Sequence, residues 1–172
     1  TANNGTNVID AGTENDTITA GSGNNTIDAG AGNDSIYAGL GNDVILAGRG
    51  LDIIYAGSGS DSIVMTLGDE GLDSVYLGAG SDTVTFTGTD AATVDGMWVI
   101  VESTASSDTL ADYIVMGSGN DTIVLGAGAD TIQAGGGNDS ILAGAGRNVI
   151  DLGTGRDYVA GDSDADSVYG AR

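Results

Sequence analysis

The chain has 172 residues, of which 25 are acidic and only 4 are basic, so its formal net charge is −21. Such a charge excludes nucleic acid and anionic lipid as partners, because both repel a polyanion. Cysteine and histidine are absent, which excludes disulfides, thiolate and imidazole metal ligands, and nucleophilic sites of the Ser-His or Cys type.

The first half of the chain repeats the heptapeptide pattern G-x-G-N-D-x-I every nine residues. Its units lie at 21–27, 30–36, 39–45, 48–54 and 57–63. The alternate glycines permit the positive φ of a tight turn. The residues after each turn alternate polar and apolar, as at 35–37, which predicts a very short strand with one inward side chain. A fixed short period predicts a stack of like units.

Two such units make a coil of eighteen residues with a strand on each side, so the pattern predicts two parallel sheets joined by turns along both edges. Residues eighteen apart should then stack. One predicted edge ladder is Asp16, Asp34 and Asp52, and the opposite one is Asn7, Asn25, Asp43 and Asp61. Tyr37 and Tyr55 are predicted to stack on the outside of one sheet.

The spacing breaks in the middle of the chain. Asp73 follows Asp61 by twelve residues instead of nine, Asp82 is in phase with Asp73, and no clear unit follows until Asp112. We predict enlarged coils here, with an inserted outer loop around 87–107 that contains the only tryptophan, Trp98. The chain is thus predicted to be one domain, with regular coils at 1–67, irregular coils at 68–116 and regular coils at 117–172.

The repeat resumes in the last third of the chain, with clear units at 117–123, 126–132 and 135–141. The same phase counting places two further ladders on opposite edges. Their members are Asp112, Asp130, Asn148 and Asp166 on one edge, and Asp121, Asp139 and Asp157 on the other.

A stack of these turns requires a cation. Neighbouring carboxylates would lie about 5 Å apart, at the spacing of adjacent strands. One buried Ile per unit contributes only about 1.5–3 kcal/mol, against about 1–2 kcal/mol to order each residue. Calcium accepts six to eight oxygens, including backbone carbonyls, whereas zinc prefers the absent His or Cys and magnesium keeps its own waters. Several calcium ions are therefore the expected cofactor.

The units resemble the nonapeptide G-G-x-G-x-D-x-U-x of the repeats-in-toxin (RTX) family, in which U is a large aliphatic residue. Residues 29–37 match with Ala29 in the first glycine position, and residues 135–139 are also close. The resemblance covers most of the chain outside about 87–107. It implies an all-β fold, a right-handed parallel β-roll with calcium inside the turns.

By this resemblance, the aspartate of each turn binds calcium and the carbonyls of its first four positions help. The implied carboxylate ligands are Asp16, Asp34, Asp43, Asp52, Asp61, Asp73, Asp82, Asp112, Asp121, Asp130, Asp139, Asp157 and Asp166. The implied carbonyl donors are Ala29, Gly30, Ala31, Gly32, Gly39, Gly41, Gly48, Gly50, Gly57, Gly59, Gly117, Gly119, Gly126, Gly128, Gly135 and Gly137. Asn7, Asn25 and Asn148 depart from the pattern, so calcium beside them should be weaker or absent.

Other roles explain these residues less well. Turn capping alone does not require Asp at one phase in so many units, and uniformly repeated carboxylates leave no distinct catalytic pair. Tyr37, Tyr55 and Trp98 are weaker candidates for ligand contacts. The tyrosines are more simply explained as cross-strand stacking on an exposed sheet, and Trp98 as a cover for the irregular coil.

The expected function is non-enzymatic: a calcium-folded structural segment of a large secreted or cell-surface bacterial protein, which the family resemblance suggests is exported by type I secretion. Two alternatives stay open, an adhesive or polysaccharide-binding module with a cell-surface glycan as partner, and an accessory repeat module of an extracellular enzyme. No signal peptide or membrane-spanning run is visible and the chain begins in repeat phase, so we expect a piece of a larger polypeptide without membrane insertion.

Overall fold

The computed structural model describes residues 1–66, 73–87, 98–100 and 109–170, and within these ranges it contains short strands and no helix. The strands are β1 (Val8–Asp10), β2 (Thr17–Thr19), β3 (Thr26–Asp28), β4 (Ser35–Leu40), β5 (Val44–Leu46), β6 (Ile53–Ser58), β7 (Ser62–Thr66), β8 (Ser74–Ala79), β9 (Thr83–Thr87), β10 (Trp98–Ile100), β11 (Tyr113–Val115), β12 (Thr122–Val124), β13 (Thr131–Gln133), β14 (Ser140–Gly144), β15 (Val149–Asp151), β16 (Tyr158–Gly161) and β17 (Ser167–Tyr169). The described ranges accordingly hold no helix with the length and apolarity that a membrane crossing requires.

Successive strands alternate between two sheets, as a coil with one strand on each side requires. The odd-numbered strands form a nine-stranded sheet running from β1 to β17, and the even-numbered strands form an eight-stranded sheet running from β2 to β16. The strands pair in parallel throughout both sheets. The predicted all-β solenoid of two parallel sheets is confirmed.

The register follows the sequence period where the repeat is regular and lengthens where it is not. Ile9 pairs with Ile27 near the start of the chain, and Ile132 pairs with Ile150 near its end. In the centre, Val84 pairs with Ile114 across a much longer excursion of the chain. Strand β10 lies between β8 and β12, so residues 98–100 return to the sheet. The remainder of the predicted loop, at 88–97 and 101–107, lies outside the described residues.

The core is a narrow column between the sheets, filled in many units by one isoleucine and one alanine and in others by valine, leucine or methionine. Ile27, Ile36 and Ile45 are fully buried, as are Ala29 and Ala38. The residues that flank each buried isoleucine point outward, because successive side chains of a strand alternate between its two faces. Each unit therefore buries too little apolar surface to be stable alone, and its stability depends on the coils stacked above and below it.

Three tyrosines stack on the outer face of the even-numbered sheet. The ring centroids of Tyr37 and Tyr55 lie 4.9 Å apart with 4° between the ring planes, and those of Tyr55 and Tyr76 lie 4.6 Å apart with 6°. The predicted stacking of Tyr37 on Tyr55 is confirmed. Tyr76 joins them because the lengthened central coil brings it into register with Tyr55.

Candidate metal centres in the turns

The turn aspartates form a ladder along each edge of the roll, in which the carboxylate of one turn accepts a hydrogen bond from the backbone of the preceding turn. The backbone N–H of Asp16 donates to Oδ1 of Asp34 at 2.8 Å, and the N–H of Asp34 donates to Oδ1 of Asp52 at 2.9 Å. The same bond recurs along both edges of the roll: Asp43 to Asp61, Asp112 to Asp130, Asp121 to Asp139, Asp139 to Asp157, and Asn148 to Asp166. The stacking predicted from residues eighteen apart is therefore confirmed.

Both ladders extend into the irregular centre, and one of them crosses it. The N–H of Asp52 donates to Oδ1 of Asp73 at 2.7 Å, although the two residues are 21 apart. The N–H of Asp82 donates to Oδ1 of Asp112 at 2.9 Å across a separation of 30 residues. The N–H of Asp61 donates to Oδ1 of Asp82, so the ladder that runs from Asp61 through Asp82 to Asp112 accommodates the extra residues and joins the two regular blocks.

Glycines let the stacked turns approach closely enough for these bonds. Gly30 and Gly32 have φ values of 96° and 140°, which side chains disfavour. A Cβ placed on Gly30 would lie 2.0 Å from the carbonyl oxygen of Gly12 in the preceding coil. No side chain fits there, so glycine at this position is a packing requirement as well as a conformational one.

The ladder carboxylates are buried, and one oxygen of several of them lacks a hydrogen-bond partner. Asp34 and Asp43 are each 1% exposed, and Asp61 is 2% exposed. Their Oδ1 atoms accept the ladder bonds, but their Oδ2 atoms are buried with no partner, as is Oδ2 of Asp16 and of Asp139. A buried, unpaired carboxylate oxygen is costly, and an ionised one especially so.

The electrostatic surroundings of these carboxylates oppose ionisation. Burial raises the pKa of Asp34, the neighbouring Asp16 carboxylate raises it further, and the hydrogen bond from Asp16 acts against both. Burial, with a smaller contribution from Asp43, raises the pKa of Asp61 to about 6. Burial likewise raises the pKa of Asp43 and of Asp139. A bound cation would remove this penalty by balancing the charge.

Backbone carbonyls surround the same spaces. In a nine-residue unit, the second and third carbonyls accept backbone hydrogen bonds from neighbouring coils. The oxygen of Gly30 accepts from the N–H of Arg49, and the oxygen of Arg49 accepts from the N–H of Gly32. No hydrogen bond of the described residues reaches the fourth carbonyl, that of Gly32 or of Gly41. The spaces between stacked turns are therefore lined by oxygen atoms.

This donor set fits a hard cation that accepts carbonyl oxygen. In the described part of the chain, no three acidic, histidine or cysteine side chains converge on one point, so a cage of carboxylates alone is not available. A cation here would take one or two carboxylates and complete its shell with turn carbonyls. Calcium tolerates six to eight oxygens of both kinds in irregular geometry, whereas magnesium demands a near-ideal octahedron.

Tyr37 and Tyr55, which the sequence offered as ligand contacts, do not form an open binding platform. The faces of Tyr37, Tyr55 and Tyr76 pack on one another, so the stack presents ring edges to solvent along most of its length. A sugar platform uses open ring faces. The role of the Trp98 side chain lies outside what the structure describes.

The asparagines that precede several of the turn aspartates form a further set of hydrogen bonds between coils, which was not predicted from the sequence. Oδ1 of Asn15 accepts from the N–H of Asn33 at 2.8 Å, and Oδ1 of Asn24 accepts from that of Asn42 at 3.0 Å. Asn120 and Asn138 repeat this bond at 2.7 Å. The signal was present in the recurrent Asn of G-x-G-N-D, and these bonds run in the opposite direction to those of the aspartates.

Comparison with known proteins agrees with this geometry. A family model described as the RTX calcium-binding nonapeptide repeat, in four copies, matches residues 1–36, 28–63, 67–88, 117–150 and 143–172, which together make up most of the chain. No curated protein and no solved structure matches. Repeats of this kind bind calcium ions in multiple turns. The chain belongs to the RTX calcium-binding nonapeptide-repeat family.

Proposed function

We propose that calcium ions held between stacked turns fold this chain, and that the folded roll is a structural segment of a larger secreted or cell-surface protein. The observation that supports this most is the set of buried Oδ2 atoms without partners at Asp34, Asp43 and Asp61. In a folded stack these oxygens need a positive charge nearby, since burial without one is strongly unfavourable.

Each turn would contribute to an ion in two ways. Oδ1 of the aspartate ties its turn to the preceding coil, while Oδ2 is left for the metal. The carbonyls of the turn add neutral oxygens. We assign the carboxylate role to Asp16, Asp34, Asp43, Asp52, Asp61, Asp73, Asp82, Asp112, Asp121, Asp130, Asp139, Asp157 and Asp166, with Asp157 and Asp166 in more exposed surroundings near the end of the roll.

A calcium requirement also favours an extracellular setting. Extracellular calcium modules work with dissociation constants of about 10⁻⁴ to 10⁻³ M, and a chain that folds only with metal stays open where calcium is scarce. The repeats of this family occur in secreted proteins, and a structural role suits uniform sites in which no carboxylate pair differs from its neighbours.

A calcium titration followed by far-UV circular dichroism tests the proposal. The calcium-free chain at pH 7.5 should show little β structure, and millimolar calcium should produce it cooperatively. Magnesium at the same concentration is the control and should have little effect, because it keeps its waters. Equal β content and equal melting temperature with calcium and with chelator would refute the proposal.

A further inference from the structure

Three ladder positions carry asparagine instead of aspartate, and two of them are consecutive. Asn7 and Asn25 begin one edge of the roll, ahead of Asp43 and Asp61. Asn148 is the third, near the other end. Asn25 and Asn148 are as buried as the aspartates, each being 1% exposed. An amide differs from a carboxylate in charge and in carrying hydrogen-bond donors.

The orientation of the Asn25 amide is set by the ladder itself. Its Oδ1 accepts the N–H of Asn7 at 3.1 Å, as Oδ1 of Asp43 accepts the N–H of Asn25 in the next coil. Its Nδ2 therefore occupies the place that Oδ2 takes in an aspartate turn. At Asp43, the next residue on this edge, that Oδ2 is buried and has no partner.

The amide nitrogens make the contacts that a cation would make. Nδ2 of Asn25 donates to the carbonyl oxygen of Gly23 at 2.7 Å and to Oδ1 of Asp43 at 3.0 Å, with the Ala38 oxygen 3.5 Å away. Nδ2 of Asn7 donates to the Gly5 oxygen at 2.6 Å and to Oδ1 of Asn25 at 2.7 Å. Both nitrogens thus bridge a carbonyl of their own turn to the ladder oxygen of the next.

We infer that the Asn7 and Asn25 side chains replace calcium at the first two spaces between turns on this edge, which rests on the calcium-dependent folding proposed above. The amide supplies partial positive charge and donors where an aspartate turn needs a metal ion, and it adds no negative charge. These two spaces therefore bind no calcium and hold their turns together without it.

The inference applies to one edge of the first coils and not to the whole end of the roll. On the opposite edge of the same coils, Asp16 and Asp34 have buried Oδ2 atoms without partners and need an ion. Asn148 is excluded as well, because its Nδ2 makes a single hydrogen bond, 3.3 Å long, to the Ala143 oxygen. The calcium demand is thus asymmetric, with fewer ions on the Asn7–Asn25 edge.

Single substitutions at two neighbouring ladder positions test the inference, because they should change the number of bound calcium ions in opposite directions. Asn25→Asp creates a turn of the aspartate kind, so native mass spectrometry of the calcium-saturated protein should count one more ion than in the unmodified chain. Asp43→Asn extends the amide run, so it should lose one ion and reach half-folding at a lower calcium concentration. The matched control is Asn24→Asp, which adds the same charge at an exposed position and keeps the oxygen that accepts from Asn42; its ion count should not change.

The outcomes separate this inference from the function on which it rests. A chain that binds no calcium would refute the proposed function itself. If the chain binds calcium, but Asn25→Asp gains no ion and Asp43→Asn loses none, the inference is refuted and the proposed function stands. If Asn25→Asp does not fold, the count for Asp43→Asn decides, and an unchanged count overturns the inference.

Discussion

At the scale of single residues, the turn aspartate has two separable tasks. Its Oδ1 accepts a backbone hydrogen bond from the preceding coil, which an asparagine does equally well at Asn25 and Asn148. Its Oδ2 is buried without a partner at Asp34 and Asp43, and it is there that aspartate and asparagine differ. Under the proposed function, the metal accounts for the carboxylate, while the hydrogen bond accounts for the position in the ladder.

The pKa shifts predict opposite pH responses with and without calcium. In the calcium-free roll the pKa of Asp61 is about 6, raised from an ordinary 3.8. A raised carboxyl pKa means that the folded state binds protons more readily than the unfolded one. Protonation of Asp61 therefore stabilises the folded state. This contribution to stability is complete below pH 3.8 and is lost as the pH rises through 6. Calcium-free protein should therefore gain β structure between pH 7 and pH 4.5.

With saturating calcium, acidification should instead lower the stability of the roll, because protons compete with the metal for the same carboxylates. Melting temperatures followed by circular dichroism from pH 7 to pH 4.5 measure both trends. A calcium-free chain that loses structure on acidification, or a calcium-loaded one that gains stability, would contradict the assignment of these buried carboxylates.

The glycines at the second turn position give a test of how closely the stacked turns must pack. Gly30→Ala places a Cβ 2.0 Å from the Gly12 carbonyl oxygen at a φ of 96°, so the stacked turns must separate. We expect a loss of at least about 2 kcal/mol in unfolding free energy, given the strain of positive φ alone. Gly136→Ala is the control, since other units carry alanine at this third position and the nearest atom is the end of the Thr154 side chain. Denaturant unfolding in saturating calcium compares the two, and equal losses would count against the packing argument.

At the scale of the element, most strands are three residues around one inward aliphatic side chain, usually isoleucine, and each strand is stable only between neighbours. The tyrosine stack adds to this on the outside. Tyr55 has a ring on each side, whereas Tyr37 contacts one ring of the stack. Since a stacked pair contributes about 0.5–1.5 kcal/mol beyond burial, Tyr55→Ala should cost clearly more unfolding free energy than Tyr37→Ala.

Neither tyrosine exchange should change the number of calcium ions bound, because the rings lie on the sheet and not in the turns. Calorimetric melting and native mass spectrometry of the two variants measure both quantities. Equal destabilisation by the two variants would contradict the stacking interpretation, and a lost ion would contradict the separation of sheet from turn.

The strands and ladders of the regular blocks could be predicted because a nine-residue period determines which residues stack. The central coils could not, since separations of 21 and 30 residues leave no period to count, and the ladder bonds from Asp52 to Asp73 and from Asp82 to Asp112 became visible only in three dimensions. The place of Tyr76 in the stack was missed for the same reason. The Asn25 amide contacts depend on rotamer and turn geometry, which sequence alone does not give.

At the scale of the whole molecule, a polypeptide of formal charge −21 packs most of its turn aspartates into two ladders. Hydrophobic burial is a thin column of isoleucine and alanine, so the charge balance within the ladders decides whether the coils stack. Under the proposed function, calcium binding and folding are one process, as in other proteins whose site exists only in the folded state. The two amide-filled spaces lower the number of ions that this process needs.

The most direct test is a crystal structure of the calcium-saturated protein with anomalous scattering data that identify calcium. We predict ions between stacked turns, about 2.3–2.6 Å from their oxygen ligands, beside Oδ2 of Asp34, Asp43, Asp61 and Asp139, and none beside Nδ2 of Asn7 or Asn25. An ordered roll grown in ample calcium, with water alone beside those carboxylates, would contradict the account.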